Sequence, residues 1–256
     1  MMTIITCIKF IRSDLFSDNQ QLRSKYSLNP YDLFMLEQLL AFKKVLNCRL
    51  IGVTMGPKEC LESAQRSIAM GLDDVYLISD PCFAGSDTYS TSYLLHKALM
   101  HIGQTDMYAF GEKSIDGETS QIPIGVSSRL NLLCYTGVEK LESHGDNTVN
   151  LKCVRMNRVE TIEAAYPLSV CFRGFTTKEP DISLLKLKQS RNHSPMILDA
   201  ASLHIDKRHC GQGGSKTKVI QVANIINKRE AVSINGSFSN KAGTLKNLIL
   251  KGGLYT

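Results

Sequence analysis

The residues from Ala109 to Ile122, AFGEKSIDGETSQI, combine the types that phosphate chemistry needs. An apolar run ends at Gly111, Asp116-Gly117 is a turn signal, and Thr119 and Ser120 stand where they would cap a following helix. A strand, a short loop and a helix start in that order aim several backbone N–H groups and the positive end of a helix dipole at one point. That arrangement holds a phosphate. Two more stretches have the same character: Ser27-Leu28-Asn29-Pro30-Tyr31-Asp32 and Val53-Thr54-Met55-Gly56-Pro57. In an open parallel sheet, ligands bind beyond the carboxyl ends of the strands. Three such loops predict one nucleotide site built from all of them.

The elements needed to position these loops are legible in the chain. Thr3–Phe10 reads as a short apolar strand. Asn29 is a good N-cap, Pro30 fits the first helical position, and Asp32 stands where a capping carboxylate would. Leu33, Leu36, Leu40 and Phe42 carry a helix to about Val45. Leu50–Thr54 is a second strand. Pro57 opens a helix whose one face holds Leu61, Ala64 and Ile68, and Gly71 stops it. Asp74–Ile78 is a third strand. The loop Phe83–Thr88 leads into a helix through Leu95 and Leu99, Met107–Phe110 is a fourth strand, and a helix runs from about Thr119 to Leu130. Strands alternating with helices of this length predict a parallel sheet with right-handed crossovers. Thr148–Met156 and Val159–Ala165 flank Asn157-Arg158 and read as a hairpin added to the sheet, and Leu168–Phe172 is another apolar strand. Beyond it the pattern loosens, with a short helix at Ile182–Lys188 and periodicity only at Lys218–Ile226 and Leu245–Leu250. The expected class is α/β: an open, mostly parallel Rossmann-like sheet with helices on both faces, an added hairpin and an irregular C-terminal arm. Residues 1–200 form the nucleotide-binding domain and residues 201–256 the arm.

Composition narrows the function. With 256 residues, 43% of them hydrophobic, the chain is long enough for a large core. No run of about 18 apolar residues is present to span a membrane. The opening MMTIITCIKF lacks a basic stretch ahead of its apolar run and reads as a strand rather than a signal peptide. None of the eight cysteines forms a C-x-x-C pair, and most sit in apolar runs. Buried free thiols and a cytoplasmic setting are expected. Residues 1–150 hold 13 Lys/Arg against 17 Asp/Glu, and residues 151–256 hold 17 against 7. The basic charges are dispersed and carry no nucleic-acid motif, so a solvated or protein-facing surface is expected rather than nucleic acid. Gly211–Lys216 imitates a phosphate loop without meeting its spacing. His204, His209 and Cys210 lack a fourth partner for zinc. No Ser/His/Asp or Cys/His nucleophile stands out.

Taken together, these segments resemble the β subunit of electron-transfer flavoproteins, well over residues 1–172 and weakly beyond. Asn29-Pro30-Tyr31 is similar to the family's N-P-[FY], Val53–Pro57 to V-T-M-G-P, and Ala69–Asp73 to A-M-G-A-D. Gly111–Gln121 is similar to G-x-x-[AS]-I-D-G-D-T-x-Q. Phe83–Thr88 with Thr91-Ser92-Tyr93 resembles F-A-G-[AS]-D-T-x-x-T-S-Y. This last segment belongs to the branch, including electron-bifurcating members, whose β subunit holds a second FAD where the mitochondrial branch holds AMP.

The resemblance implies a β subunit that pairs with an α subunit carrying another FAD, binds FAD (AMP is the alternative) and shuttles electrons between an acyl-CoA or other dehydrogenase and a second acceptor. It implies an electron carrier rather than an enzyme, since the redox chemistry is the flavin's. It also implies that the arm at 201–256 contacts the α subunit. The site it implies comprises Cys7, Asn29, Pro30, Tyr31, Asp32, Met55, Asp87, Thr88, Gly111, Glu112, Lys113, Ser114, Ile115, Asp116, Gly117, Glu118, Thr119, Ser120, Gln121 and Ile122. Cys7 and Asn29–Asp32 would meet adenine and ribose, Thr119 and Ser120 the phosphate, and Asp87 and Thr88 a flavin's pyrophosphate or ribityl chain. A carboxylate repels phosphate, so Asp116 is expected to bond loop amides or a ribose.

The chain departs from the family in four places. Glu118 replaces an Asp. Lys9–Asp14 lacks the proline of K-x-V-P-D-T. The N-x-P-R-x-P-S segment is poorly kept at Gly174–Pro180, just before the dehydrogenase-docking loop, where Ile182, Leu184 and Leu185 could be the anchor. Cys210–Thr217 resembles G-L-x-G-S-P-T with Lys216 in place of the proline.

Two rivals share the fold. A stand-alone adenine-nucleotide regulator of universal-stress type would end about a hundred residues sooner. An adenylylating enzyme would need a glycine- and serine-rich loop after the first strand, and Lys9–Leu15 has no glycine.

Overall fold

The computed structural model describes residues 1–13, 25–145, 147–156, 158–218, 220 and 233–250. These divide into two compact units, Met1–Lys218 and Val219–Thr256.

The first unit is built on one large sheet. Its strands are β1 (Thr3–Cys7), β4 (Arg49–Met55), β5 (Asp74–Ile78), β6 (Met107–Gly111), β7 (Cys134–His144), β8 (Thr148–Arg155), β9 (Arg158–Ala165), β10 (Leu168–Phe172) and β11 (Met196–Leu198). They lie in the order β11-β5-β4-β1-β6-β10-β7-β8-β9. Every pairing from β11 to β7 is parallel, and β7-β8-β9 are antiparallel. Two short strands, β2 (Phe10–Arg12) and β3 (Tyr26–Leu28), form a separate antiparallel pair.

The central strands are apolar on both faces because both are covered. From β1, Ile4 joins the core under helices α1 (Pro30–Val45) and α2 (Leu61–Met70). Ile5 and Cys7 point the other way, to α3 (Thr88–Ile102) and α4 (Ile122–Leu130). In β8 the alternation is strict, with Val149, Leu151 and Cys153 buried, because only one face of the antiparallel wing is covered.

The expected elements are present, with differences at their ends. α1 spans the expected residues, and its N1 proline follows Asn29 as anticipated. The first strand stops at Cys7, where Ile8 and Lys9 turn the chain into β2. Pro57 precedes a 3-10 turn at Lys58–Cys60 before α2 begins. The helix expected from Thr119 begins at Ile122: Gln121 is its N-cap, without a side-chain capping bond, so Thr119 and Ser120 do not cap it. Ser27–Asp32 starts within β3 of the small pair and runs into α1, rather than following a strand of the main sheet. β7, which no sequence pattern announced, lies between β10 and β8. The short helix near 182–188 is α5 (Leu184–Ser190).

The expected boundary after residue 200 falls inside the first unit, since Leu203 and Cys210 are buried in the same core as Leu198 of β11. A four-residue turn of helix, α6 (Gly211–Gly214), follows. The described part of the second unit is α7 (Phe238–Leu250), which contains the periodic Leu245–Leu250. The periodicity at Lys218–Ile226 lies almost wholly outside the described residues.

Candidate nucleotide site

A cavity of about 400 Å³ opens at the carboxyl ends of β1, β4 and β6, the size of a small-molecule pocket. Its floor is apolar: Met55 ends β4, Phe110 sits in β6, Leu95 comes from α3 and Ile122 from the start of α4. Polar groups ring this floor, because strand ends and helix starts leave backbone amides and short hydroxyl side chains at one rim.

The loop 111–121 is pinned from several sides. Asn29 Nδ2 donates to the Lys113 carbonyl (2.8 Å), and its Oδ1 accepts the Ile115 N–H (3.3 Å). Lys9 Nζ lies 2.7 Å from Asp116 Oδ2, and Lys113 Nζ 3.3 Å from Glu118 Oε1. Lys113 also stands over the Tyr31 ring, 5.5 Å from its centre. Glu118 (φ 50°) and Ser120 (φ 53°) both adopt left-handed backbone without being glycine. Such conformations cost about 1 kcal/mol or more each and cluster at ligand sites. They deliver Thr119, Ser120 and Gln121 to the cavity beside the first turn of α4, whose leading N–H groups have no intrahelical acceptor.

Asp32 lies at the root of the site, 5% exposed. Its Oδ2 accepts the Lys9 N–H at 2.8 Å. Burial pushes its carboxyl up to about 7, against the opposing pull of the Lys9 and Gly111 amides, the Asn29 side chain and the Lys9 charge. Burial, reinforced by the negative charge of Asp32, also pushes the Cys7 thiol far up, so Cys7 is a neutral wall group. Burial raises the Asp116 carboxyl, but the Lys9 and Ser114 side chains outweigh it and hold the group below the usual range.

Across the cavity, the Asp87 carboxylate caps α3 by accepting the Ser90 N–H (3.0 Å). It also accepts the N–H groups of Lys216 (2.7 Å) and Thr217 (2.9 Å) and the Thr217 hydroxyl (3.0 Å). The Thr88 hydroxyl donates to Gln121 Oε1 at 2.7 Å, joining the α3 and α4 starts.

Of the residues singled out from the sequence, the cavity is lined by Cys7, Asn29, Asp32, Met55, Asp87, Thr88, Gly111, Glu112, Lys113, Ser114, Gly117, Thr119, Ser120, Gln121 and Ile122. Pro30, Tyr31, Ile115, Asp116 and Glu118 are not among the residues that line it, and Asp116 and Glu118 are exposed. Asp116 pairs with the Lys9 ammonium, which was not expected, and also takes bonds from the loop itself, from the Ser114 side chain and its own backbone N–H. The lining adds Ile8, Lys9, Ser86, Thr91, Leu95, Phe110 and Pro123. Ser86 and Thr91 lie inside the F-A-G-S-D-T and T-S-Y segments and were within reach of the motif. Phe110 and Leu95 carry only a core signal, and a single lysine after a strand carries none.

The fold and this rim define an open α/β protein with its ligand pocket at the carboxyl edge of the parallel strands. The chain belongs to the electron transfer flavoprotein family: residues 21–172 match the electron transfer flavoprotein domain. It is 40% identical over 202 residues to protein FixA of Azorhizobium caulinodans, 76% of this chain and 72% of that protein. It is 28% identical over 223 residues to the electron transfer flavoprotein subunit beta of Thermoanaerobacterium thermosaccharolyticum, covering 85% and 84% of the two chains. The identity is 28% over 231 residues with the acryloyl-CoA reductase electron transfer subunit gamma of Anaerotignum propionicum, covering 88% and 86%. The chain is therefore of the β-subunit kind, among electron-transfer subunits. Among the described residues no helix is long and apolar enough to cross a membrane.

Proposed function

We propose that this chain is the β subunit of a heterodimeric electron-transfer flavoprotein, and that its cavity holds an adenine nucleotide, FAD in preference to AMP. The carrying observation is the continuous lining from Asn29 and Asp32, past Thr119 and Ser120, to Ser86, Asp87, Thr88 and Thr91. The residues suit the group: an apolar floor for a flat ring, unpaired amides at a helix start for phosphate, and hydroxyls continuing beyond it. FAD is preferred because the last four residues, which come from the segment typical of the FAD-holding branch, share the cavity with the phosphate loop.

A bound flavin supplies the electron chemistry. The residues of this chain bind, orient and screen it. Asn29 and Asp32 fix the adenosine end, and Thr119, Ser120 and the first turn of α4 hold phosphate. Lys9 adds a positive charge at the rim. Phe110, Met55, Leu95 and Ile122 exclude water. The Asp87 carboxylate, already engaged by Ser90, Lys216 and Thr217, positions Thr88 and the α3 start rather than meeting phosphate itself. No residue acts as an acid or base in electron transfer. Electrons pass from an acyl-CoA or other dehydrogenase to a second acceptor in a cytoplasmic complex with the α subunit.

Co-expression with the α subunit, followed by a visible spectrum and a flavin and AMP count per heterodimer, tests this. Two flavins support FAD here. One flavin with released AMP overturns FAD and keeps the carrier. No complex and no flavin moves the chain to a stand-alone nucleotide-binding regulator.

A further inference from the structure

Cys82 and Cys210 are 128 positions apart in sequence, yet their sulfurs approach to 3.9 Å. All eight cysteines are free. Cys210 is buried, whereas Cys82 and Cys134 are the two that reach solvent in part.

The approach is held by a set of bonds between the loop 82–88 and a strap, residues 210–217. Gly211 N–H donates to Ser86 Oγ (3.0 Å), and Asp87 N–H donates to Ser215 Oγ (2.9 Å). Ser215 Oγ in turn donates to the Gly85 carbonyl (3.2 Å), and the Asp87 carboxylate takes the three bonds from Lys216 and Thr217 already described. Gly211 makes the approach possible: its φ is +60°, and a β-carbon there would lie 2.4 Å from the Cys82 carbonyl oxygen. Ser86, Asp87 and Thr88 line the cavity, so the strap braces one wall of the site.

We propose that Cys82 and Cys210 form a redox-closable clasp, joined by a peroxide-class oxidant into a disulfide that locks the strap 210–217 onto the loop 82–88. Cys82, the thiol that reaches solvent, attacks a peroxide oxygen. The O–O bond breaks, one oxygen leaves as water, and the other stays on Cys82 as a sulfenic acid. The Cys210 sulfur attacks that sulfur, the S–O bond breaks, and a second water carries away the Cys210 proton. The two thiols lose two electrons and two protons, and the peroxide becomes two waters. An S–S bond of about 2.05 Å needs the sulfurs to close by less than the width of an atom. Burial, the bond to Asp80 and the neighbouring Cys210 push the Cys82 thiol up to about 12. Thiolate is therefore scarce and closing is slow.

The test uses the full chain, with its partner subunit where the two co-purify, and does not depend on which nucleotide is bound. Protein treated with hydrogen peroxide is alkylated, digested without reductant and mapped by mass spectrometry. The expected product is a linked peptide pair containing Cys82 and Cys210 that dithiothreitol separates and Cys82→Ala abolishes. Cys82 is only partly buried, so a small truncation there is expected to be tolerated, with a thermal melt as the check; Cys210→Ser gives the second control. Native trypsin cleavage after Lys207, Arg208 and Lys216 is expected to slow about tenfold in the oxidised wild type and not in Cys82→Ala. The proposal fails if Cys82 ends as a sulfinic acid beside a reduced Cys210, if other cysteines link instead, or if the link forms while strap cleavage is unchanged.

Discussion

Gly111 ends β6 against the carboxylate of Asp32 so closely that a β-carbon on Gly111 would lie 2.3 Å from Asp32 Oδ1. The backbone of the first turn of α1 would also be tight against it, with the Asp32 nitrogen at 3.1 Å. Neither neighbour is the free end of a flexible chain. Gly111→Ala is therefore expected to push the strand end and α1 apart at about 1–3 kcal/mol. A thermal melt should fall by several degrees, and calorimetric affinity for an adenine nucleotide by roughly tenfold. An alanine variant that binds as wild type would show that the contact does not shape the pocket.

Asp32 also sets a pH dependence. Its folded carboxyl sits at about 7, above the ordinary value near 3.8 that the unfolded chain would show. Between those values the folded state binds the extra proton, so this group's contribution to stability falls as pH rises toward 7 and is level above it. Asp32→Asn removes the titration. From pH 5 to pH 8 the melting curves of wild type should lose roughly 2–3 kcal/mol relative to the Asn variant. Parallel curves would refute it.

Asp87 does two jobs with one carboxylate. Burial opposes its ionisation, but the Ser90, Thr217 and Lys216 donors hold it below the usual carboxylate range. Asp87→Ala should cost roughly 2–3 kcal/mol by removing a helix cap and the strap's anchor. Hydrogen exchange should rise at 88–91 and 215–217 together. Exchange rising at only one of the two would separate the cap from the anchor.

The Lys9–Asp116 pair makes the opposite prediction. Both side chains are well exposed, at 45% and 33%, so the pair itself contributes little to stability. Lys9→Met should leave the melting temperature nearly unchanged while weakening binding of an anionic nucleotide several-fold. The loss should shrink as salt is raised from 50 to about 500 mM. A drop in melting temperature without loss of affinity would make Lys9 a structural residue.

Legibility followed period and motif. α1 and β10 could be read because each is a continuous pattern with a clear start, Asn29-Pro30 before α1 and Pro167 before β10, and β10 stops at Arg173. β7 could not: its register slips between Val138 and Lys140, and Gly137 lies in left-handed backbone, so the alternation that marks a strand is broken. Thr119 and Ser120 look like caps because their types are right, but Glu118 and Ser120 in left-handed backbone delay the helix by three residues. The phosphate loop and the Asn29 segment were legible as motifs. Lys9 was not, since what places it in the site is a turn out of β1, and turns of that kind leave no spacing to count. The strap 210–217 was legible as a family-like segment, but not its docking onto the loop 82–88, for a related reason. Its partners stand about 130 positions earlier, and local pattern does not see them.

The two rims of the large sheet differ in a way that matters before any partner is met. One rim is β11, three residues long. The other is β9, eight residues with Arg158, Glu160 and Glu163 along it. An open strand edge recruits other strands, and shortness or charge discourages it. The chain thus carries its own protection against stacking edge to edge with its copies, so a newly made molecule has time to find the right surface before the wrong one finds it.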